Sequence, residues 1–158
     1  MEQVEPIRMT PTLLRKFIKE KSEARISKAS VFNIRDVIST FVRKLNKQLL
    51  IDNGKVGKIT VDQVKKAFQN VSVFKAANDS IFSDLYFPVK PIHTYLKQLL
   101  KELFTENVLI SKDALFFYQS LIELYLREFV QCVTGQMNHA KRKTIQDSDI
   151  DFCKNHYK

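Results

Sequence analysis

The three residues Ile26-Ser27-Lys28 recur as Ile110-Ser111-Lys112, 84 positions later. Each copy opens a long stretch whose apolar residues fall at helical spacing. A short amphipathic stretch precedes each copy. Each long stretch leads into a basic turn with a threonine, Lys58-Ile59-Thr60 in the first half and Lys143-Thr144-Ile145 in the second. A short helical segment then closes each half. The expected order is short helix, loop, long helix, loop, short helix, twice over. With only 3 Gly and 4 Pro in 158 residues, helices joined by short turns fit better than a sheet protein. The chain divides into an N-terminal extension over 1–9, a first unit over 10–69, a connector over 70–90 and a second unit over 91–158.

Local signals place the helices. Thr10-Pro11 is a helix start, the threonine as cap and the proline in the first turn, where its missing N–H is not needed. Leu13, Leu14, Phe17 and Ile18 then recur at helical spacing. Ser27 caps the first long helix, whose apolar face reads Ile34, Val37, Ile38, Phe41, Leu45 and Leu49, and Asp52-Asn53-Gly54 stops it. Thr60 and Gln63 form a capping box for a closing helix over Val61–Phe68. In the second half, Pro91 stands near the start of a helix carrying Ile92, Leu96, Leu99, Leu100 and Leu103. After Ser111, the stripe Phe117, Leu121, Tyr125, Phe129, Val133, Met137 and Ala140 implies a helix of about 30 residues, roughly 45 Å long. Half a chain of this size cannot bury such a stripe, so a second long helix must cross it. The two halves are therefore expected to clasp as one intramolecular pair. Val71–Phe82 has weaker periodicity and reads as a short helix or an ordered connector.

The net charge is +9, of which residues 1–69 carry +8 and residues 70–158 carry +1. That balance favours a polyanionic partner, nucleic acid before membrane, because no helix pairs a basic face with a free apolar one. No apolar run approaches the roughly 18–20 residues of a membrane span. Met1–Arg8 shows no signal pattern, so an intracellular or intravirion protein is expected. Cys132 and Cys153 lack CxxC spacing and read as reduced thiols half buried in a core. His93, His139 and His156 are scattered, giving no support for a zinc site, and no cofactor is expected. An enzyme is disfavoured too: there is no Gly-rich phosphate loop, no pair of catalytic carboxylates and no nucleophile signature.

The run His139-Ala140-Lys141-Arg142-Lys143-Thr144-Ile145, followed by Asp149-Ile150, resembles the end of the long helix and the second loop of core histones. From Leu96 to Ile150 the second half resembles histone three, including Ala114, Gln119, Glu123 and Tyr125-Leu126. The first half resembles histone four through Thr10, Leu14, Arg15, Lys16, Lys19 and Arg25-Ile26-Ser27. The order is similar to the fused histone doublets of large DNA viruses, with fused archaeal histones as the alternative. The resemblance covers residues 10–155 and lacks the long basic tails of many members.

It implies an all-α chain of two tandem histone folds that binds, wraps and compacts double-stranded DNA without reading sequence. The setting would be chromatin in a host nucleus, viral factory or virion, or a prokaryotic nucleoid. Arg25 is then the minor-groove arginine, beside Lys143 and Thr144 of the other half. Lys58 and Thr60 pair with Ser111 and Lys112. These four, with Ser27 and Lys28 at the first loop, belong to the DNA-binding set, while Arg15, Lys16 and Lys19 add phosphate contacts or form a plain solvated face. Arg142 forms a salt bridge with Asp149. His139, Arg142 and Asp149 mark the end through which a second copy associates, unless His139 serves only an intramolecular core. Other histone or histone-doublet chains are further expected partners. Two departures stand out: Leu109 replaces the second first-loop arginine, and Gln63 stands where an aspartate would pair with Lys58. A histone-fold scaffold that binds proteins, as in transcription or kinetochore complexes, is the other reading.

Overall fold

The computed structural model describes residues 11–54, 57–71, 85–104 and 108–156. The extension over 1–9, the Thr10 cap and most of the Val71–Phe82 stretch lie outside them. Among the described residues the chain is all-α, with helices joined through two-residue strands. The first half runs α1 (Pro11–Ser22), β1 (Arg25–Ile26), α2 (Lys28–Asn53), β2 (Lys58–Ile59) and α3 (Val61–Val71). The second repeats that order as α4 (Val89–Phe104), β3 (Leu109–Ile110), α5 (Lys112–His139), β4 (Thr144–Ile145) and α6 (Asp147–His156). No described helix is long and apolar enough to cross a membrane.

The caps follow the sequence signals. Ser27 and Ser111 hold extended backbone, and their hydroxyls accept from the Ser30 and Ala114 backbone N–H groups. These bonds satisfy donors that the first turn of α2 and of α5 would otherwise leave open. Thr60 and Gln63 exchange backbone-to-side-chain bonds at the head of α3, Thr60 N–H donating to Gln63 Oε1 at 2.9 Å. Gly54 ends α2 at φ 65°, its N–H donating to Leu50 O at 2.8 Å. Side chains rarely tolerate that conformation, and glycine adopts it freely.

The two long helices cross and share one core. Phe41 of α2 stacks on Tyr125 of α5, centroids 4.0 Å apart and planes 13° from parallel. Nearby, the buried Tyr118 hydroxyl reaches Val42 O at 3.1 Å and also Asn46 Oδ1, so α2 satisfies a polar atom that α5 pushes into the contact. Burial raises the Tyr118 hydroxyl well above its usual pKa, keeping it a donor. The expected apolar faces of α2 and α5 are buried, with one exception. Ala140 is exposed and lies past the end of α5, which stops at His139.

Two other expectations are revised. The closing helix α3 runs on to Val71 and α4 already starts at Val89, so both ends of the expected 70–90 connector belong to helices. The connector also contributes to the core. Phe87 is buried and stacks on Phe17 at 5.1 Å. The buried carboxylate of Glu123 accepts from the Tyr86 and Phe87 backbone N–H groups at 2.8 and 3.1 Å, while Gln119 Nε2 donates to Phe87 O at 2.8 Å. A carboxylate 3% exposed stays there because those donors replace its lost water. Lastly, Cys132 and Cys153 are not free thiols but a disulfide joining α5 to α6. Spacing alone could not reveal it, because the two cysteines meet only once α6 folds back on α5.

Candidate nucleic-acid interface

Two helix ends turn sharply on residues with left-handed backbone, the end of the short helix α1 and the end of the long helix α5. Glu23, just past α1, takes φ 59°, and its N–H donates to Lys19 O at 2.7 Å. Lys141, just past α5, also sits at φ 59°, and the next N–H, of Arg142, returns to Met137 O at 3.0 Å. Neither residue is Gly or Asn, the types that mark such left-handed ends, so the sequence carried no sign of these two turns.

The turns bring distant loops together. β1 pairs with β4 in parallel, Arg25 opposite Thr144 and Ile26 opposite Ile145. Arg25 N–H donates to Lys143 O at 3.2 Å. Ile26 and Ile145 point into the core, which by strand alternation turns Arg25 outward. Arg25 and Lys143 are exposed, and together with Glu23, Met137, Asn138 and Arg142 they line a recess of about 480 Å³. The expected meeting of Arg25 with Lys143 and Thr144 is thus the geometry observed.

Arg142 has a different task. Its guanidinium makes a two-pronged bond to Asp149, at 2.8 and 2.7 Å, and also donates to Thr144 O at 3.2 Å. Asp149 accepts the Gln146 N–H as well, at 2.9 Å. The Arg142 guanidinium holds the Asp149 carboxyl below the usual carboxylate range despite burial, and the same contact raises Arg142. This clamp fixes the strand that carries Lys143 and Thr144. It also commits the buried carboxylate of Asp149 within its own chain. His139 is exposed, which overturns a purely intramolecular core role for it.

The second loop pair is β2 with β3, Lys58 opposite Leu109 and Ile59 opposite Ile110. Ser111 N–H donates to Ile59 O at 3.1 Å, which sets Thr60 next in line with Ser111. Lys58, Thr60 and Lys112 are exposed and Ser111 is half-buried. Lys58 faces a leucine instead of a hydroxyl-bearing residue, and Gln63 spends its amide oxygen on the Thr60 cap.

Elsewhere Arg15, Lys16 and Lys19 stand exposed on the side of α1 opposite its buried Leu14, Phe17 and Ile18. Lys28 is exposed at the head of α2. The Ser27 hydroxyl is spent locally, accepting from Ser30 N–H and donating to Ser30 Oγ at 2.9 Å. Ser30 in turn donates to Asp147 Oδ1 at 2.9 Å, and Asn33 Nδ2 reaches Asp147 and Asp151 at 3.3 Å each. This polar seam between α2 and α6 joins the halves and was not legible in sequence, since its members recur at no motif spacing.

The profile of the core histone domain, one model spanning all four core histone types, matches residues 74–153, half of the chain. Among solved structures, the chain is similar to the histone from Methanopyrus kandleri at a TM-score of 0.66 and 17% identity. That likeness covers 92% of this chain and 93% of the other, and at such identity it is one of fold. No curated protein matches the sequence at a significant level. With a domain profile over half its length, on helices and loops arranged as described, the chain belongs to the core histone family.

Proposed function

We propose that this chain binds double-stranded DNA through its backbone and minor groove, wrapping and compacting it without reading sequence. The observation that carries the reading is the loop pair in which Arg25, from one half, lies against Lys143 and Thr144 from the other. An exposed arginine held by backbone bonds can enter a minor groove while neighbouring lysine and hydroxyl groups take the flanking phosphates. The concentration of charge in the first half and the exposed lysines on α1, β2 and α5 add further phosphate partners. The chain acts as a fused pair resembling histone four joined to histone three. The near-complete mutual coverage with the archaeal histone favours one polypeptide holding both folds. Its place is chromatin, nuclear or viral, or a nucleoid.

Two copies meet through the end where α5 joins α6. His139 offers the exposed group there, and Arg142–Asp149 keeps that end rigid.

Random-sequence duplex titrated at several salt concentrations tests the reading. Neutralising about 6–8 phosphates gives a slope of log K on log salt of roughly −5 to −7. Arg25→Ala with Lys143→Ala weakens binding on every random-sequence duplex, with no base-specific loss. A flat salt dependence overturns the proposal. Sedimentation of the same complexes shows a two-copy particle, and one copy on saturating DNA refutes the self-association. A protein-binding scaffold is the second reading, favoured by the exposed Leu109 among the loop residues.

A further inference from the structure

We infer that Leu109 is an apolar DNA contact that takes, at the second loop pair, the place Arg25 holds at the first; this rests on the DNA-binding reading above. Single exposed apolar side chains are common on protein surfaces and by themselves need no explanation. Leu109 differs through its position. It precedes Ile110-Ser111-Lys112 as Arg25 precedes Ile26-Ser27-Lys28. It also sits in the same register of an equivalent parallel ladder, opposite Lys58 as Arg25 sits opposite Thr144. Its backbone is pinned on both sides, Leu109 N–H to Gly57 O at 2.9 Å and Ser111 N–H to Ile59 O at 3.1 Å. The neighbouring Ile110 packs against the core, so alternation turns Leu109 outward, and it is 67% exposed. The backbone bonds fix where the side chain leaves the strand, on the outward face.

The surroundings decide which partner covers it. Lys58 lies opposite it in the ladder and Lys112 follows three residues on, both exposed. Asp113 follows in the first turn of α5, where its charge offsets the helix's own N-terminal dipole. An apolar tip beside an exposed lysine complements a minor groove, whose walls are deoxyribose carbons and whose rims are phosphates. Inserted leucines also part base steps and favour flexible pyrimidine–purine sites, whereas an arginine favours a narrow A-tract groove. The two loop pairs of one chain therefore ask different things of the duplex, and each chain has a preferred direction on DNA.

The test compares the full-length chain with Leu109→Ala and Leu109→Arg on random-sequence duplex across salt. A duplex long enough for one chain only, bearing an A-tract at one end and TA steps at the other, is footprinted in parallel. Leu109→Ala is expected to lose about three- to tenfold in affinity, an incomplete loss of one leucine's burial, with an unchanged salt slope. It should also lose the oriented footprint, while its thermal unfolding matches the parent, as suits an exposed site. Leu109→Arg steepens the slope by about 1. If the parent binds with the expected slope and Leu109→Ala binds equally tightly, or alters the slope, this inference is overturned and the DNA reading stands. If the parent shows no salt-dependent binding, the DNA reading itself fails, and this inference with it.

Discussion

Asp149 shows how one residue serves both the fold and the candidate site. Its carboxylate is 3% exposed and sits in the fork of Arg142. The hydrogen bonds from Arg142, reinforced by Gln146 N–H, hold its folded pKa below the ordinary value, while desolvation pulls the other way. A depressed folded pKa means the contribution is present in full above the ordinary carboxylate range. It is lost as pH falls through that range toward the folded value, from about pH 5 downward. Asp149→Asn should therefore lower Tm at pH 7 by about 3–6 °C and flatten the acid limb of a Tm-against-pH curve. A variant as acid-sensitive as the parent would show that this carboxylate carries none of that limb. The Arg142–Asp149 pair was readable from the histone resemblance because it is local, seven residues apart across one turn. Glu123 was readable only as part of a family pattern. Its task of holding Tyr86 and Phe87 depends on where the chain returns after α3, which no spacing discloses.

Among the elements, α6 is the one whose anchorage the sequence showed only in part. It is short, with acids in its first turn and little apolar content of its own. Its hold comes from three sides: the Arg142–Asp149 clamp, the polar seam to Ser30 and Asn33 of α2, and the Cys132–Cys153 disulfide. A link spanning 21 residues restricts the unfolded chain by about 3 kcal/mol. Cys132→Ala with Cys153→Ala should lower Tm in oxidising buffer. Dithiothreitol should lower the parent's Tm and leave the variant unchanged. An identical parental Tm with and without reductant would mean that α6 is held by its other contacts alone. The helix starts of α2, α3 and α5 were legible because caps are local chemistry. The ends at Glu23 and Lys141 were not, because tertiary packing holds ordinary residues in left-handed backbone there.

For the whole molecule, the crossing of α2 and α5 makes the halves interdependent. Phe41 against Tyr125, and Tyr118 against Val42 and Asn46, are contacts that neither half makes alone. Far-UV and near-UV signals of the full chain should melt together in one transition, whereas a fragment of residues 1–71 should lack a cooperative transition. A fragment that melts cooperatively by itself would contradict the clasp. By itself the sequence determined the helix order, its repetition, the apolar faces, the helix starts and the identity of the loop residues, because these rest on spacing and on bonds within a few residues. The tertiary structure alone decided the disulfide, the packing of Phe87, and the seam between α2 and α6. Each of those depends on residues far apart in the chain, and only the burial of two long apolar faces against each other brings them together.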